Sequence, residues 1–329
     1  MLKYDIIEKS NSAYCAPVLL VPKKKPGKWR FCVDFRKLNK KVVNLPYPLP
    51  RIDDCLNMLA GKKYFSSIDM VSGFWSLPVR PEDRHKLAFA TWDGMFQYKR
   101  SPFGLKTSPA YFQRMMNAVL GDLRWSCCLC YIDDILIFSE TLEDHIDHLD
   151  QVLSRMEKTE VMCQADKCAF LRESLTFLGH VVSADGISAD PMKTATIQAI
   201  QFPKSKKEMR QFLGITGYFR KFVRDYARRA KPLTDMLRDD ATLVETKEAS
   251  AAFHFLKKVL VSPRVLKHPQ FDRPFLIHTD ACNHGIGATL IQIHDGKEHP
   301  IAFISRTLLR PLPSSGLAKP LDLTSWEQK

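Results

Sequence analysis

Leu129-Cys130-Tyr131-Ile132-Asp133-Asp134-Ile135-Leu136-Ile137-Phe138 sets two adjacent carboxylates inside an apolar, β-branched run. An unpaired charge in such surroundings costs several kcal/mol or shifts its pKa. A tight strand–turn–strand hairpin relieves the conflict by carrying the acids to its tip, where a divalent metal can neutralise them. The plain alternative is an exposed Asp-Asp turn between two strands, since Asp favours turns. The segment alone leaves both readings open.

Working outward, 329 residues suffice for two or three domains, and 45% hydrophobic with 26% charged residues is ordinary for a globular chain. The net charge of +13 is not ordinary and points to a polyanionic partner. Nucleic acid is favoured over an anionic membrane, because no basic amphipathic helix with a wholly apolar face is evident. No run approaches the ~20 apolar residues of a membrane span, and Met1-Leu2-Lys3-Tyr4-Asp5 lacks the apolar core of a signal peptide. Nine cysteines without framework spacing read as free thiols in a reducing compartment. His145 and His148 are spaced for a metal pair but sit on a helix opening at Thr141-Leu142-Glu143-Asp144 with no third ligand, so a structural or surface role is expected.

Val18–Val21 and Trp29–Val33 read as a hairpin whose Pro22–Lys28 tip, with Arg30, carries five positive charges. Such a tip is either a solvated edge or a phosphate clamp. Tyr64–Val71 is a strand with a solitary acid, Asp69, near its end, and a further hairpin turns at Trp92-Asp93-Gly94. Ser108 as N-cap and Pro109 at the first helical position open a helix whose Phe112, Met115, Met116, Val119 and Leu120 make a core stripe. Ser205-Lys206-Lys207-Glu208 is a capping box for a second helix. Beyond it, Arg220, Arg224 and Arg228 fall at i, i+4 and i+8, which predicts one basic helix face along a phosphate backbone. Near Phe271 a third region begins, where Pro274–Asp280 reads as a strand ending in an acid, followed by strands at 285–291 and 301–305.

Asp69, Asp133 and Asp134 converge on one site if their strands are neighbours in a sheet. Three such acids suit two Mg²⁺ ions and phosphoryl transfer. With the basic hairpin, this constellation resembles the reverse transcriptase region of gypsy-type LTR retrotransposon Pol polyproteins. The likeness runs from about Ile6 to Leu308 and is carried by ordered motifs: Val33–Asn39, Pro46–Ile52, Phe65–Asp69, Ser101–Leu105, Tyr131–Asp134, Phe177–His180 and Phe212–Gly214.

The resemblance implies an α+β right-hand polymerase, with fingers and palm over 1–181, a helical thumb over 182–250 and a connecting helix over 251–268. A partial RNase H-like α/β stub over 269–308 and an unmatched, disordered tail over 309–329 would follow. It implies two Mg²⁺ (or Mn²⁺) ions on Asp69 and Asp133, with Asp134 as the third acid, and an RNA or DNA template with primer and dNTPs as partners. Lys23 (or Lys24) and Arg30 would clamp the triphosphate, Phe74 would exclude a 2′-hydroxyl, and Phe103 with Gly104 would flank the nucleotide. Lys167 would sit near the pyrophosphate, and Phe177, Leu178, Gly179 and His180 would grip the primer. Lys207, Arg210, Arg220, Arg224 and Arg228 would line the thumb.

Asp280 would be the first acid of an RNase H centre whose later acids have no match, so a truncated copy without RNase H activity is expected, working in cytoplasmic particles by analogy. A catalytically inactive nucleic-acid-binding remnant is the alternative, and an RNA-dependent RNA polymerase is disfavoured by Phe74. The oligomeric state is left open.

Overall fold

The computed structural model describes residues 1–22, 27–70, 72–159, 161–262, 264–282 and 285–308. The chain divides into two compact units, Met1–Ala184 and Asp185–Lys329. Its mixed helices and strands make it an α+β protein.

The first unit is organised by a four-stranded sheet in the order Cys128–Tyr131, Asp134–Ser139, Tyr64–Asp69, Ala169–Arg172. The Asp134–Ser139 strand is buried at every position after its acid, as expected for a central strand covered on both faces. On one face, Ile68, Ile135 and Ile137 pack with Phe112, Met116 and Leu120 of the Ser108–Leu120 helix and with Val152 and Met156 of the Leu142–Lys158 helix. Each large apolar side chain buried here contributes roughly 1.5–3 kcal/mol. Met115 and Met116 are core residues, as the stripe predicts.

The Ser108–Leu120 helix starts differently from expectation. Thr107 is the N-cap residue, and Ser108 is already helical and buried. Its hydroxyl is taken by Ser101 Oγ at 2.6 Å and the Pro102 carbonyl at 3.1 Å, so it ties down the preceding loop instead of capping the helix. Thr141 does cap the next helix, accepting from the Asp144 amide. His145 on that helix is fully buried and bridges two strands, bonding Ser66 Oγ at 2.7 Å and Ser139 Oγ at 2.9 Å. Its role is structural, and burial followed by the neighbouring His148 holds its pKa below the ordinary 6.5.

Elsewhere in this unit, Val18–Pro22 pairs antiparallel with Trp29–Val33, as predicted, while Lys23, Lys24 and Lys25 lie outside the described residues. The Ala88–Thr91 and Gly94–Tyr98 hairpin turns through Trp92 and Asp93, with Gly94 opening the second strand. Ser174–Phe177 and His180–Ser183 form another tight hairpin through Leu178 and Gly179, at φ 46° and 73°.

In the second unit, Ser205 caps Lys206–Tyr218 by accepting from the Glu208 amide at 3.2 Å. The basic helix face predicted for Arg220, Arg224 and Arg228 is not formed. The helix ends at Tyr218, a 3₁₀ turn covers Arg220–Phe222, and a new helix starts at Tyr226 after Asp225 at φ 57°. The break lets Phe219, Phe222 and Val223 all bury. It is held from the neighbouring sheet, where Ser305 Oγ accepts from the Ala227 amide at 2.9 Å and the Ser305 carbonyl accepts from Arg220. Arg228 pairs with Asp225 at 3.0 Å, and Arg224 is exposed.

The last helix among the described residues, Lys247–Val261, runs across the boundary expected between 250 and 251. Leu276–Cys282, Gly285–His294 and Lys297–Thr307 make an antiparallel meander. Asp280 therefore lies inside its strand opposite Gly287, not at the strand's end. The tail expected from 309 on lies outside the described residues. Among the described residues no helix is long and apolar enough to cross a membrane.

Candidate active site

Register decides where the acids meet. Tyr64–Asp69 and Asp134–Ser139 are antiparallel neighbours, and Asp69 stands directly opposite Asp134. Cys128–Tyr131 flanks Asp134–Ser139 on its other side, with Tyr131 opposite Asp134, so only Ile132 and Asp133 remain to turn the chain. Directly opposed residues have Cβ atoms about 4.5–5.5 Å apart. Pairing thus brings Asp69 and Asp134 together at one end of the two central strands, with Asp133 next to Asp134 on the turn.

The turn is strained. Two-residue hairpin loops call for positive φ in the first position, which glycine or asparagine adopts readily. Ile132 takes it at φ 55°, and a β-branched residue there is an outlier costing about 1–3 kcal/mol. The surroundings hold it: Gln113 Oε1 accepts from the Ile132 amide at 2.7 Å, and Gln113 Nε2 donates to the Cys130 carbonyl at 3.0 Å.

Asp133 is half-buried, and its Oδ1 is buried without a hydrogen-bond partner. Burial first, then the charges of Asp134 and Asp69, push its pKa above the ordinary carboxylate value. Lys167 Nζ reaches Asp69 Oδ1 at 3.2 Å from the Ala165–Lys167 turn, which is anchored where the Gln164 amide donates to the Asp69 carbonyl at 2.8 Å. Among the described residues no group of three or more His, Cys, Asp or Glu is already drawn together tightly enough to hold a metal. The donors nonetheless suit a hard divalent cation: they are all carboxylate oxygens, they repel one another, and one of them is desolvated with no proton donor to satisfy it.

Beside the acids, Phe74 is buried, with its ring centroid 5.1 Å from Phe103 and 5.6 Å from Phe112. Phe103 itself remains exposed. Gly104 has φ 91°, and its loop is pinned by Asn39, which donates to the Gly104 carbonyl at 2.8 Å and accepts from the Lys106 amide at 2.9 Å. Arg30 is exposed on its strand, opposite Val21. Phe177 and His180 are buried at the ends of their hairpin strands. Lys207 and Arg210 are exposed on the Lys206–Tyr218 helix, and Asp280 is exposed on the meander.

Three residues of this surround escape sequence reasoning. Gly73 precedes Phe74, and a Cβ there would lie 2.7 Å from the Phe112 ring and 3.0 Å from Asp133 Oδ1. Gln113 looks like a surface residue between two core positions, yet it is completely buried. Asn39 reads as part of a motif without a stated task. The available signal for Gln113 was its place beside the Phe112, Met116 and Leu120 stripe.

The match with known proteins follows the same geometry. Residues 21–182 fit the family model described as reverse transcriptase (RNA-dependent DNA polymerase), and 246–311 fit the RNase H-like domain found in reverse transcriptase. This chain belongs to the reverse transcriptase family. It is 40% identical over its whole length to the retrovirus-related Pol polyprotein from transposon 297 of Drosophila melanogaster, and 41% identical over 94% of its length to that from transposon opus. The Tf2-3 transposon polyprotein of Schizosaccharomyces pombe is 36% identical over 92% of the chain. The chain spans 31%, 32% and 23% of these relatives' lengths, respectively. Among solved structures, the foamy viral protease-reverse transcriptase in complex with double-stranded DNA (the dRH form) superposes with a TM-score of 0.83 at 27% identity, over 93% of this chain and 54% of that one. The same viral protein with an RNA/DNA hybrid gives 0.79, also at 27% identity, over 93% and 41%.

Proposed function

We propose that this chain is an RNA-directed DNA polymerase that adds dNTPs to a primer 3′-hydroxyl. The observation that carries the reading is the register of Asp69 opposite Asp134, with the half-buried Asp133 at the turn that leads from Tyr131 into Asp134. Asp69 and Asp133 would hold two Mg²⁺ (or Mn²⁺) ions with Asp134 beside them. Bound there, the metals supply Lewis-acid activation of the hydroxyl and neutralise charge on the phosphates.

The remaining work belongs to side chains of the protein. Phe74 is clamped between two rings and cannot easily retreat. It would therefore close the space a 2′-hydroxyl needs and select dNTPs. Arg30 and Lys23 would hold the triphosphate, the first through a planar fork and the second as a point charge. Phe103 and Gly104 would bound the nucleotide on the side that Asn39 fixes. Lys167, 3.2 Å from Asp69, would act as a general acid near the departing pyrophosphate.

Template and primer would follow the basic surface implied by +13, with Phe177, Leu178, Gly179 and His180 at the primer terminus and Lys207 and Arg210 along the thumb. Support comes from the viral structures just described, whose own partners are double-stranded DNA and an RNA/DNA hybrid. On this reading residues 1–181 are fingers and palm, 182–250 mostly thumb and 269–308 RNase H-like, with a cytoplasmic site of action by analogy with the LTR class.

Primer extension on an RNA template with Mg²⁺ tests the proposal. The unaltered chain extends the primer, and Asp133→Asn abolishes extension. Incorporation that persists in Asp133→Asn overturns the mechanism. Salt-sensitive template binding with no incorporation by the unaltered chain would instead identify a silent nucleic-acid-binding protein.

A further inference from the structure

We propose that Gln113 is a positioning residue for the catalytic turn, and that Tyr47, Asn117 and Gln113 form a hydrogen-bonded relay that keeps Asp133 aimed. The inference rests on the polymerase reading and adds to it a residue that never touches substrate. Gln113 sits in the Ser108–Leu120 helix, completely buried, one position from Phe112. A buried amide is expensive unless its donors and acceptor are used. Here one Nε2 hydrogen goes to the Cys130 carbonyl at 3.0 Å, the other to Asn117 Oδ1 at 2.9 Å, and Oε1 takes the Ile132 amide at 2.7 Å.

These bonds fix the amide's orientation. Flipping it would set its NH₂ against the Ile132 N–H and its oxygen against the Cys130 carbonyl, two repulsive contacts in place of two bonds. Asn117 in turn donates to the Tyr47 hydroxyl at 2.5 Å, which ties the relay to the Pro46–Pro50 segment. The side chain therefore spans the turn from Cys130 to Ile132 and grips the backbone on both sides of Tyr131.

The turn needs such a grip. Ile132 is held at φ 55°, a conformation its β-branched side chain disfavours, and nothing intrinsic to the residue keeps it there. Asp133 follows directly, and its Oδ1 lies 3.0 Å from where a Cβ on Gly73 would be. A small backbone rotation at Ile132 would move that oxygen against Gly73 or away from Asp69. Gln113 thus performs for the carboxylate what an outer-shell partner performs for a metal ligand: it sets direction, not charge.

The test separates positioning from folding. Gln113→Leu keeps the burial but loses all three bonds. It is expected to lower kcat about tenfold or more with KM for dNTP changed less than about threefold, and to weaken Mn²⁺ binding by about tenfold, as outer-shell losses do. Mn²⁺ binding is read by electron paramagnetic resonance on the chain without nucleotide. On an Ile132→Gly background, where the turn is relaxed, the same Gln113→Leu change should cost less than about threefold in both readouts, since the two sites are coupled.

A Gln113→Leu chain that melts earlier yet keeps kcat and Mn²⁺ affinity within about twofold overturns the proposal. So does an equal loss on both backgrounds. Should Gln113→Leu fail to fold, Asn117→Ala, at a half-exposed site, decides: a kcat loss of about two- to fivefold at constant KM supports the relay, and unchanged kcat and Mn²⁺ binding overturn it. An unaltered chain that binds Mn²⁺ without extending primers leaves the Mn²⁺ comparison to judge Gln113 while the polymerase reading falls. One that does neither overturns both.

Discussion

Asp69 and Asp280 are both aspartates on antiparallel strands in sheets of similar size, and the sheets treat them in opposite ways. Asp69 faces Asp134 across one strand pair, and Asp133 sits on the turn that joins Tyr131 to Asp134. Asp280 faces Gly287, and its strand is exposed at nearly every position. The first sheet buries its central Asp134–Ser139 strand beyond the acid, so Asp133 at the turn is half-buried beside two like charges. The second leaves its acid in solvent, with Arg228 and Asp225 the charged groups that share its small cleft. A carboxylate on a strand becomes a candidate metal ligand through the register that supplies other acids and the packing that desolvates them.

The largest expected break in this comparison comes from Asp133→Asn. Extension should fall by roughly a thousandfold or more, the several kcal/mol that metal-borne charge stabilisation supplies. The same change should raise the melting temperature of the chain in a chelator at neutral pH. There it removes a partly buried charge whose burial and two acid neighbours oppose ionisation. The folded-state pKa is raised, so the stability lost to this group disappears at low pH, and the gain from Asn should shrink as the pH falls below the folded value. A lower melting temperature for Asp133→Asn in the chelator at neutral pH would show that this carboxylate is a structural partner.

Gly73→Ala comes next. The added Cβ meets the Phe112 ring at 2.7 Å and Asp133 Oδ1 at 3.0 Å. Phe112 is completely buried and has little room to move. Overpacking of this kind costs about 1–3 kcal/mol, and it should also lower kcat because the carboxylate is displaced. Thermal denaturation and single-turnover extension measure the two effects. A variant with ordinary stability and ordinary kcat would mean that the site is looser than the packing of Gly73, Phe112 and Asp133 implies.

How much of this was legible beforehand follows from the kind of force involved. Strand pairing around Asp69 and Asp133-Asp134, the core stripe of Phe112, Met116 and Leu120, and the caps at Thr141 and Ser205 are local patterns of polarity and turn chemistry, and the sequence displays them. The left-handed Ile132 and its clamp by Gln113 are not local. They depend on a helix packing beneath a turn 19 positions away, and no periodicity encodes a hydrogen bond. Residues 219–228 show the reverse error. Phe219, Phe222, Val223 and Tyr226 have helical spacing, so pattern alone continues the helix through Arg228. Ser305, almost eighty residues beyond Ala227, supplies the bonds that favour a break at Asp225.

A smaller effect should appear in the pH dependence of the first sheet. His145 joins the Tyr64–Asp69 strand to the Asp134–Ser139 strand through Ser66 and Ser139. Burial keeps it below the ordinary 6.5, so the unfolded chain takes up the proton first. The stability it contributes is complete above that value and is lost as the pH falls through the folded-state value. Urea denaturation between pH 7.5 and 5 should show stability falling with pH as this group takes up its proton in the unfolded chain first. His145→Gln should be less stable at pH 7.5 and should flatten the slope. An unchanged slope would assign the acid sensitivity to other groups.

The smallest effect is expected at Asp280, and it tests the comparison from the other side. Asp280→Asn removes one exposed charge opposite a glycine, with Asp225 already pairing Arg228 at 3.0 Å nearby. Exposed ion pairs contribute about 0–1 kcal/mol, and exposed substitutions away from special backbone or packing features stay within about 0.5 kcal/mol. Stability by denaturant titration should change by no more than that, and primer extension should stay within about twofold, because no step assigned to the first sheet draws on this carboxylate. Loss of extension in Asp280→Asn with stability intact would mean that the meander's acid takes part in handling the primer–template. The distinction between a gathered acid and a solitary one would then fail as a guide to where this chain does chemistry.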